Sequence, residues 1–124
     1  MMRRSMALLC LAMGGALAIA ASSSRLERAP AKDHGRTNPL ANQAEAAAAG
    51  ALLYRDHCLQ CHKANAMGDG RKRPPLRSAR IQAATDGDIE WFLRQGDLGK
   101  GMPSWSRLPE TQRWQIVAYL RSMQ

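Results

Sequence analysis

Two cysteines separated by two residues, with a histidine directly after them, constrain this chain more than any other feature of its sequence. Residues 58–62 read Cys-Leu-Gln-Cys-His, and Cys10 is the one other cysteine among the 124 residues. Three cysteines are too few for a disulfide-stapled secreted domain, so another source must stabilise so small a core. The length allows one small domain and excludes a large enzyme with its own nucleotide-binding domain.

The spacing in residues 58–62 favours covalent attachment of one haem c. Two thiols three residues apart can each add to a vinyl group of one haem, and the following imidazole can then bind the iron. We therefore predict Cys58 and Cys61 as the attachment sites and His62 as an axial ligand. A zinc site would need further ligands, and no second Cys-x-x-Cys or matching histidine pair follows. A thioredoxin-like redox pair would need a strand–helix context, which is not visible here.

The far side of the iron calls for a second ligand, and the methionines are the candidates. Met67 is too near His62 along the chain to reach the opposite face of the ring easily, and Met123 lies at the chain end. Met102 stands between Gly101 and Pro103, which predict a non-helical loop that can aim a thioether inward. We predict that Met102 ligates the iron; the alternative is that it fills the core.

The N-terminal region has the pattern of an export signal. Arg3 and Arg4 precede an uncharged apolar run from Met6 to Ala21, so residues 1–21 are predicted to be a signal peptide and the protein to be periplasmic. Membrane attachment would require an uncleaved anchor, but the run is shorter than the ~20 residues of a spanning helix. Residues 22–41 contain no aromatic residue and are rich in Ser, Arg and Ala, which predicts a flexible linker.

The remaining residues, 42–124, are predicted to form an all-α domain. No run of alternating apolar and polar residues suggests a strand. Capping residues predict helices over 43–56, 86–95 and 109–121, with long loops over 62–84 and 97–108. The residues that mark the helix starts are Asn42 with Glu45, Thr85 with Asp88, and Pro109.

This domain resembles the class I cytochromes c, which are small monohaem electron carriers. Gly50 and Tyr54 stand eight and four residues before Cys58, where that family has the glycine and the aromatic residue of its N-terminal helix. Ile116 and Tyr119 match apolar and aromatic positions of its C-terminal helix. The resemblance implies three main helices, of which the N- and C-terminal ones cross closely around one covalently bound haem.

The resemblance also implies roles for residues after the motif. Pro74-Pro75-Leu76 is similar to the Pro-x-Leu of the family, so the Pro74 carbonyl would accept a hydrogen bond from His62 Nδ1. The family often has glycine where this chain has Lys63, and glycine before the proline, where it has Arg73. Four residues are predicted to pack on the haem: Tyr54, Leu76, Trp91 and Trp105. For the two tryptophans, the alternative is ordinary packing in the core.

The resemblance implies an electron-transfer protein, a single-electron shuttle rather than an enzyme. Within the family the chain looks most like short cytochromes associated with quinoprotein dehydrogenases and haem–copper oxidases. One alternative is therefore a haem-bearing subunit of such a periplasmic complex. The other is an enzyme or sensor with an open iron site, which requires that Met102 does not ligate.

A cluster of positive residues suggests how a partner would dock. The chain carries a formal charge of +8, and five positive residues lie within ten positions. We interpret this run as a surface that steers acidic redox partners, a dehydrogenase donor or an oxidase acceptor; the alternative is an ordinary solvated face. Nucleic acid is not expected as a partner, because no aromatic residue is interleaved. The five residues are Arg71, Lys72, Arg73, Arg77 and Arg80.

Overall fold

A computed structural model describes residues 24–124, and this part of the chain is helical. The predicted signal peptide lies outside it. The all-α prediction is confirmed, because the described residues form no strand and only one isolated bridge, between Asp97 and Met102. The helices are α1 (Ala31–His34), α2 (Ala44–His57), α3 (Leu59–His62), α4 (Ala79–Ala83), α5 (Asp86–Gln95) and α6 (Glu110–Ser122). None of these helices is long and apolar enough to cross a membrane.

The main packing contact lies between α2 and α6, as the predicted crossing of the N- and C-terminal helices requires. Gly50 of α2 is buried, and a Cβ atom there would stand 1.9 Å from the carbonyl oxygen of Gln115 on α6. The absence of a side chain at Gly50 therefore sets how closely the two helices approach. The buried apolar residues around the crossing include Tyr54, Ile116, Val117 and Leu120.

The segment 24–41 is ordered and packed, which corrects the prediction of a flexible linker for these residues. It contains a 3-10 turn over Arg25–Arg28 and the short helix α1, and it buries Leu26, Asp33 and Asn38. Asn38 Nδ2 donates to the Trp114 carbonyl at 2.9 Å, and this bond is buried. We call residues 24–41 the strap, because they lie against α5 and α6 as part of the same folded unit.

Charged side chains hold the strap, which explains why hydrophobic patterning did not reveal it. Asp33 accepts a hydrogen bond from Arg94 of α5 at 2.6 Å. Glu90 of α5 has no exposed surface and lies 2.7 Å from Arg113 Nε and 3.3 Å from Arg36 Nη1. These pairs are separated by 23 to 61 positions along the chain, so no local sequence pattern indicates them.

The helix starts and loops follow the sequence prediction with two differences. Thr85 Oγ1 accepts a hydrogen bond from Asp88 N at 3.1 Å, and α5 spans the predicted residues. By contrast, Gln43 is the N-cap of α2 and makes no side-chain cap bond, so the predicted pair of Asn42 with Glu45 does not cap this helix. Each predicted loop also contains a short helical element, α4 in the first and a 3-10 turn at Leu98–Lys100 in the second.

Candidate functional site

Residues 58–62 form a single tight helical turn at the end of α2. The amides of Cys61 and His62 both donate to the Cys58 carbonyl, at 3.1 and 2.8 Å. Both cysteines are free thiols; Cys58 is buried and Cys61 is half-buried. The turn therefore presents two unpaired thiols and one imidazole from a short, hydrogen-bonded stretch of main chain.

Burial shapes the protonation of this turn. It raises the pKa of the Cys58 thiol to about 12, with a further contribution from Cys61. A thiol with a raised pKa is not the activated thiolate of a thiol–disulfide oxidoreductase. Burial also lowers the pKa of His62, and the nearby Arg73 charge lowers it further. The imidazole is thus held in the neutral form that binds a metal.

His62 Nδ1 is buried and has no hydrogen-bond partner among the described residues. The Pro74 carbonyl lies beside the ring, where it acts against burial to raise the pKa of His62. Its geometry nevertheless falls short of a hydrogen bond, so the implied bond from Nδ1 to Pro74 is not made in this structure. Pro74 is still the neighbour best placed to orient the ring, and this role stays a prediction.

The loop after His62 folds back on itself through main-chain hydrogen bonds. Gly68 N donates to the His62 carbonyl at 3.0 Å, and Leu76 N donates to the Ala66 carbonyl at 2.7 Å. Lys63 opens the loop with φ 66° and ψ 165°, a conformation that is nearly exclusive to glycine and costs other residues about 1–3 kcal/mol. The loop thus stores strain directly beside the predicted axial histidine.

Met102 is held in a defined loop, half-buried against the apolar core. Its amide and carbonyl form a reciprocal pair of hydrogen bonds with Asp97, at 3.0 and 2.9 Å. Gly96 has φ 66°, and a Cβ atom there would stand 2.6 Å from the Pro103 carbonyl, so the turn needs glycine at this position. The loop is non-helical around Met102, as predicted, while ligation by its sulfur stays a prediction.

The aromatic residues predicted to pack on the haem have different surroundings. Tyr54 is buried and packs edge-on against Tyr119, with ring centroids 5.3 Å apart. Trp105 is buried between His57, 5.0 Å away between centroids, and the Arg107 guanidinium, 4.8 Å from its ring. Because His57 directly precedes Cys58, this stack adjoins the turn of residues 58–62.

Leu76 and Trp91 complete the set predicted to pack on the haem. Leu76 is half-buried and packs against the core. Trp91 is half-buried but does not belong to the core cluster of the described residues or to the residues packed on it. Packing of these side chains on a haem is untested and stays a prediction.

The five residues of the basic run are all exposed, but they differ in their partners. Arg73 pairs with Asp69 at 3.0 Å, and Arg80 lies 3.3 Å from Glu27. The Arg73 guanidinium also lies beside the Cys61 thiol; Cys61 and then Asp69 raise the pKa of Arg73. Of these five residues, Arg71, Lys72 and Arg77 form no ion pair with any of residues 24–124.

The residues of this site fit a covalently bound haem c. The donor set contains two free thiols and a neutral, buried imidazole on one turn. The Nδ1 of His62 is buried without a partner among the described residues, an orphaned polar atom of the kind that native structures normally pair. The described residues contain no group of three or more His, Cys, Asp or Glu side chains placed to hold a metal ion by themselves. Two thiols that can bond to one macrocycle and an imidazole that can bind its iron are the donor set that haem c requires.

The helical fold and the Cys-x-x-Cys-His turn of residues 58–62 together define a small c-type cytochrome domain. Residues 45–120 match the family model described as "Cytochrome C oxidase, cbb3-type, subunit III". The match covers more than half of the 124 residues, and the chain belongs to this family. No curated protein and no solved structure matches the chain. Membership confirms the resemblance and implies covalently bound haem c, haem-based electron transfer and redox partner proteins.

Sequence reasoning missed two features of the site. One is the hydroxyl of Tyr54, which donates to the Lys63 carbonyl at 2.7 Å. The other is the place of Arg73 beside Cys61. The sequence did contain a signal for the Tyr54 hydrogen bond. Lys63 stands after the motif histidine where the family often has glycine, and a residue other than glycine there indicates a turn held by additional contacts. No comparable signal indicates the second.

Proposed function

We propose that this protein is an exported single-electron carrier with one haem c. The observation that carries the proposal is the turn of residues 58–62, with its two free thiols and its buried, unpartnered imidazole nitrogen. When bound, haem c supplies an iron that exchanges one electron between its ferric and ferrous states. Cys58 and Cys61 would hold the porphyrin, and His62 would bind one side of the iron.

Met102 would occupy the other side of the iron. A half-buried thioether on a loop fixed to Asp97 can stay in place through repeated changes of oxidation state. Sulfur ligation raises the reduction potential and closes the iron to external ligands, which favours a carrier over an enzyme. An open-site enzyme or sensor would require that Met102 stays off the iron.

The visible spectrum and the haem content test this proposal. The full chain, expressed with cytochrome-maturation machinery, should carry one haem per polypeptide by the pyridine haemochrome assay. Met102→Ala should lose the weak far-red band of an iron–thioether bond and gain carbon monoxide binding. Met67→Ala is the matched control, because Met67 is 45% exposed, and it should change neither property. A colourless protein, or a wild type that binds carbon monoxide avidly, would overturn the carrier proposal.

The basic run would provide the docking surface for an acidic redox partner. Arg71, Lys72 and Arg77 are exposed and without ion pairs in residues 24–124, so their charges are available to a partner. Arg73 places the same run beside Cys61, which would carry one edge of the haem. Steering by unpaired charges raises association rates and is screened by salt.

Charge reversal tests the docking surface. The triple variant Arg71→Glu, Lys72→Glu, Arg77→Glu should slow electron transfer to an acidic partner by about 10-fold or more at low ionic strength. The difference should shrink as salt is added, because the screening length falls to about 8 Å at 0.15 M. Lys32→Glu, on the exposed face of the strap, is the control and should have little effect. A triple variant as fast as the wild type would exclude this surface.

A subunit of a membrane oxidase is the second candidate, and the name of the matched family favours it. In that role the domain would pass electrons within a complex rather than diffuse between partners. Co-purification from the native membrane with oxidase subunits would support this candidate over the free carrier.

N-terminal sequencing of the mature protein tests export: cleavage near Ala20 or Ala21 indicates a periplasmic protein, and an intact N-terminus indicates a membrane-anchored one.

A further inference from the structure

Lys63 adopts a backbone conformation that its side chain disfavours. Its φ of 66° and ψ of 165° place it in a region that is populated almost only by glycine. Strain of this kind persists only when the surroundings hold the residue in place. Lys63 directly follows His62, so whatever holds it also acts on the main chain of the predicted axial ligand.

Two hydrogen bonds converge on the carbonyl of this strained residue. The Tyr54 hydroxyl donates to it at 2.7 Å, and the Ala66 amide donates to it at 3.1 Å. The Ala66 bond is local to the loop, whereas the Tyr54 bond comes from α2, nine positions earlier. The Tyr54 hydroxyl therefore joins the carbonyl of strained Lys63 directly to α2.

Tyr54 is well fixed for this task. Only 2% of its surface is exposed, and its ring packs edge-on against Tyr119 of α6. Burial, and then the nearby Cys58 and Tyr119, raise the pKa of Tyr54 to about 12, so the hydroxyl keeps the proton that it donates. The hydroxyl is thus held by the α2–α6 crossing itself.

His62 is bracketed by main-chain bonds on both sides. Its amide donates to the Cys58 carbonyl at 2.8 Å, and its carbonyl accepts from Gly68 at 3.0 Å. The second bond depends on the path of residues 63–68, which begins at the strained Lys63. Release of Lys63 would therefore free the loop side of the histidine while leaving the turn side intact.

We propose that the Tyr54 hydroxyl is a positioning group for the axial histidine: by holding the carbonyl of strained Lys63, it fixes the main chain of His62 and so the orientation of its imidazole on the iron. This role is separate from packing of the Tyr54 ring against the haem. The inference rests on the axial role of His62 in the proposed function.

The test compares Tyr54→Phe with Tyr119→Phe in the holoprotein. Tyr54→Phe keeps the ring and removes the hydroxyl, whereas Tyr119→Phe removes a hydroxyl that makes no hydrogen bond within residues 24–124. We expect Tyr54→Phe to raise the unfolding equilibrium constant by about 2- to 12-fold, the range for one neutral hydrogen bond. It should also speed amide hydrogen exchange at Ala66 and Gly68 and change the ferric EPR g-values, which report imidazole orientation. Tyr119→Phe should change neither the exchange nor the g-values.

Variants of Lys63 separate strain from side-chain effects. Lys63→Gly relieves the strain and should lower the unfolding equilibrium constant by about fivefold, after the entropy cost of glycine. In the double variant Tyr54→Phe, Lys63→Gly, the exchange rates and g-values should return to wild-type values. Glycine adopts this conformation without strain, so the loop no longer needs the hydrogen bond from the Tyr54 hydroxyl to keep its path. Lys63→Ala keeps the strain and removes only the bond from Nζ to the Gln60 carbonyl, so it should not rescue them.

Each outcome decides the inference. Unchanged g-values and exchange in Tyr54→Phe would overturn the positioning role and leave the hydroxyl a contributor to stability alone. Failure of Lys63→Gly to rescue, or rescue by Lys63→Ala, would overturn the role of strain. Failure of the proposed function looks different, because the wild type would then lack the low-spin spectrum of a six-coordinate haem before any variant is made.

Discussion

The α2–α6 crossing and the junction between the strap and α5 each place a glycine against a neighbouring main chain, but their surroundings are opposite in character. A Cβ atom at Gly50 would stand 1.9 Å from the Gln115 carbonyl oxygen, and one at Gly87 would stand 1.8 Å from the Asp33 carbonyl oxygen. Apolar side chains surround the first contact. Buried charges surround the second, with Glu90 at their centre.

The α2–α6 crossing and the strap junction therefore differ in which substitutions they tolerate. Apolar packing is non-directional, so the α2–α6 crossing depends mainly on shape and tolerates exchanges that conserve volume. The strap junction depends on matched charges, because a buried charge that loses its partner carries a large penalty. The strap therefore has a well-defined position on α5 without contributing a large apolar core of its own.

The largest expected effect comes from Gly50→Ala. The added methyl would overlap the main chain of Gln115 and the Cβ of Tyr119, which cannot move without separating α2 from α6. We expect a loss of more than about 3 kcal/mol in the free energy of unfolding, beyond the usual cost of overpacking. Guanidinium unfolding of the holoprotein, followed by circular dichroism, measures this loss.

Gly35→Ala is the control for the glycine substitution. Gly35 has φ −77°, and a Cβ atom there would meet only the Ala31 carbonyl oxygen, at an ordinary 3.5 Å. This variant should be neutral or gain about 0.4–1 kcal/mol through a less flexible unfolded chain. If both variants behave alike, close approach does not govern the crossing.

Glu90→Gln should give the next largest effect and tests the charged junction. The amide keeps the shape and can accept a hydrogen bond, but it leaves the buried Arg113 guanidinium without its counter-charge. We expect a loss of about 2–3 kcal/mol, below the roughly 3–5 kcal/mol of complete removal of a buried partner. Guanidinium unfolding again provides the measurement.

Glu45→Gln makes the same exchange at an exposed position in the first turn of α2. Its cost should stay below about 1 kcal/mol, the size of a helix-dipole interaction. A Glu90→Gln variant as stable as this control would mean that the junction does not depend on charge, and the contrast between the two regions would disappear.

The same contrast explains what the sequence could predict about the fold. The α2–α6 crossing was predictable because its information is local: Gly50, Tyr54 and the apolar positions of the last helix stand at the spacings that make this chain resemble the class I cytochromes c, in which these helices cross. The cap of α5 by Thr85 and Asp88 was predictable for the same reason. The strap was not, because Asp33 and Arg94 pair across 61 positions and polar segments of low apolar content are typical of linkers.

The candidate site divides in a similar way. Residues 58–62 could be predicted as a haem attachment site from spacing alone, because attachment of haem c imposes that spacing on consecutive residues, and this role stays a prediction. The loop around Met102 was predicted from its glycines and proline. The hydrogen bond from the Tyr54 hydroxyl to the Lys63 carbonyl was not predicted. The ring of Tyr54 already accounted for the aromatic position in the sequence, and nothing about that position indicates the partner of its hydroxyl.

Gly87→Ala should have a smaller effect than Gly50→Ala, although the two overlaps are nearly equal. The methyl would collide with the Asp33 carbonyl, but the strap can detach while α2, α5 and α6 stay packed. We expect a loss of about 1–3 kcal/mol. Limited proteolysis should cut within residues 24–41 of this variant and spare the wild type. Cleavage of the helical core at the same rate would show that strap and core unfold together.

The smallest effect is expected at Asp69, where charge acts on the surface. The amides of Arg71 and Arg73 donate to its carboxylate, at 2.9 and 3.1 Å, and with the Arg73 guanidinium they lower the pKa of Asp69 from 3.8 to about 2. A lowered carboxylate pKa stabilises the fold above pH 3.8, and this contribution is lost as the pH falls to about 2. Asp69→Asn should therefore have a slightly lower guanidinium midpoint than the wild type at neutral pH, and the gap should close between pH 4 and 2.

Asp56→Asn is the matched control, since Asp56 is exposed and its carboxylate bonds, among residues 24–124, only the neighbouring Arg55, at 3.0 Å. Both variants make the same charge change, so a difference between them isolates the main-chain bonds of Asp69. Because solvent screens exposed charges, neither variant should approach the effect of Glu90→Gln. If Asp69→Asn lost as much stability as Glu90→Gln, burial would not explain why charges at the strap junction stabilise the fold more than charges on the surface.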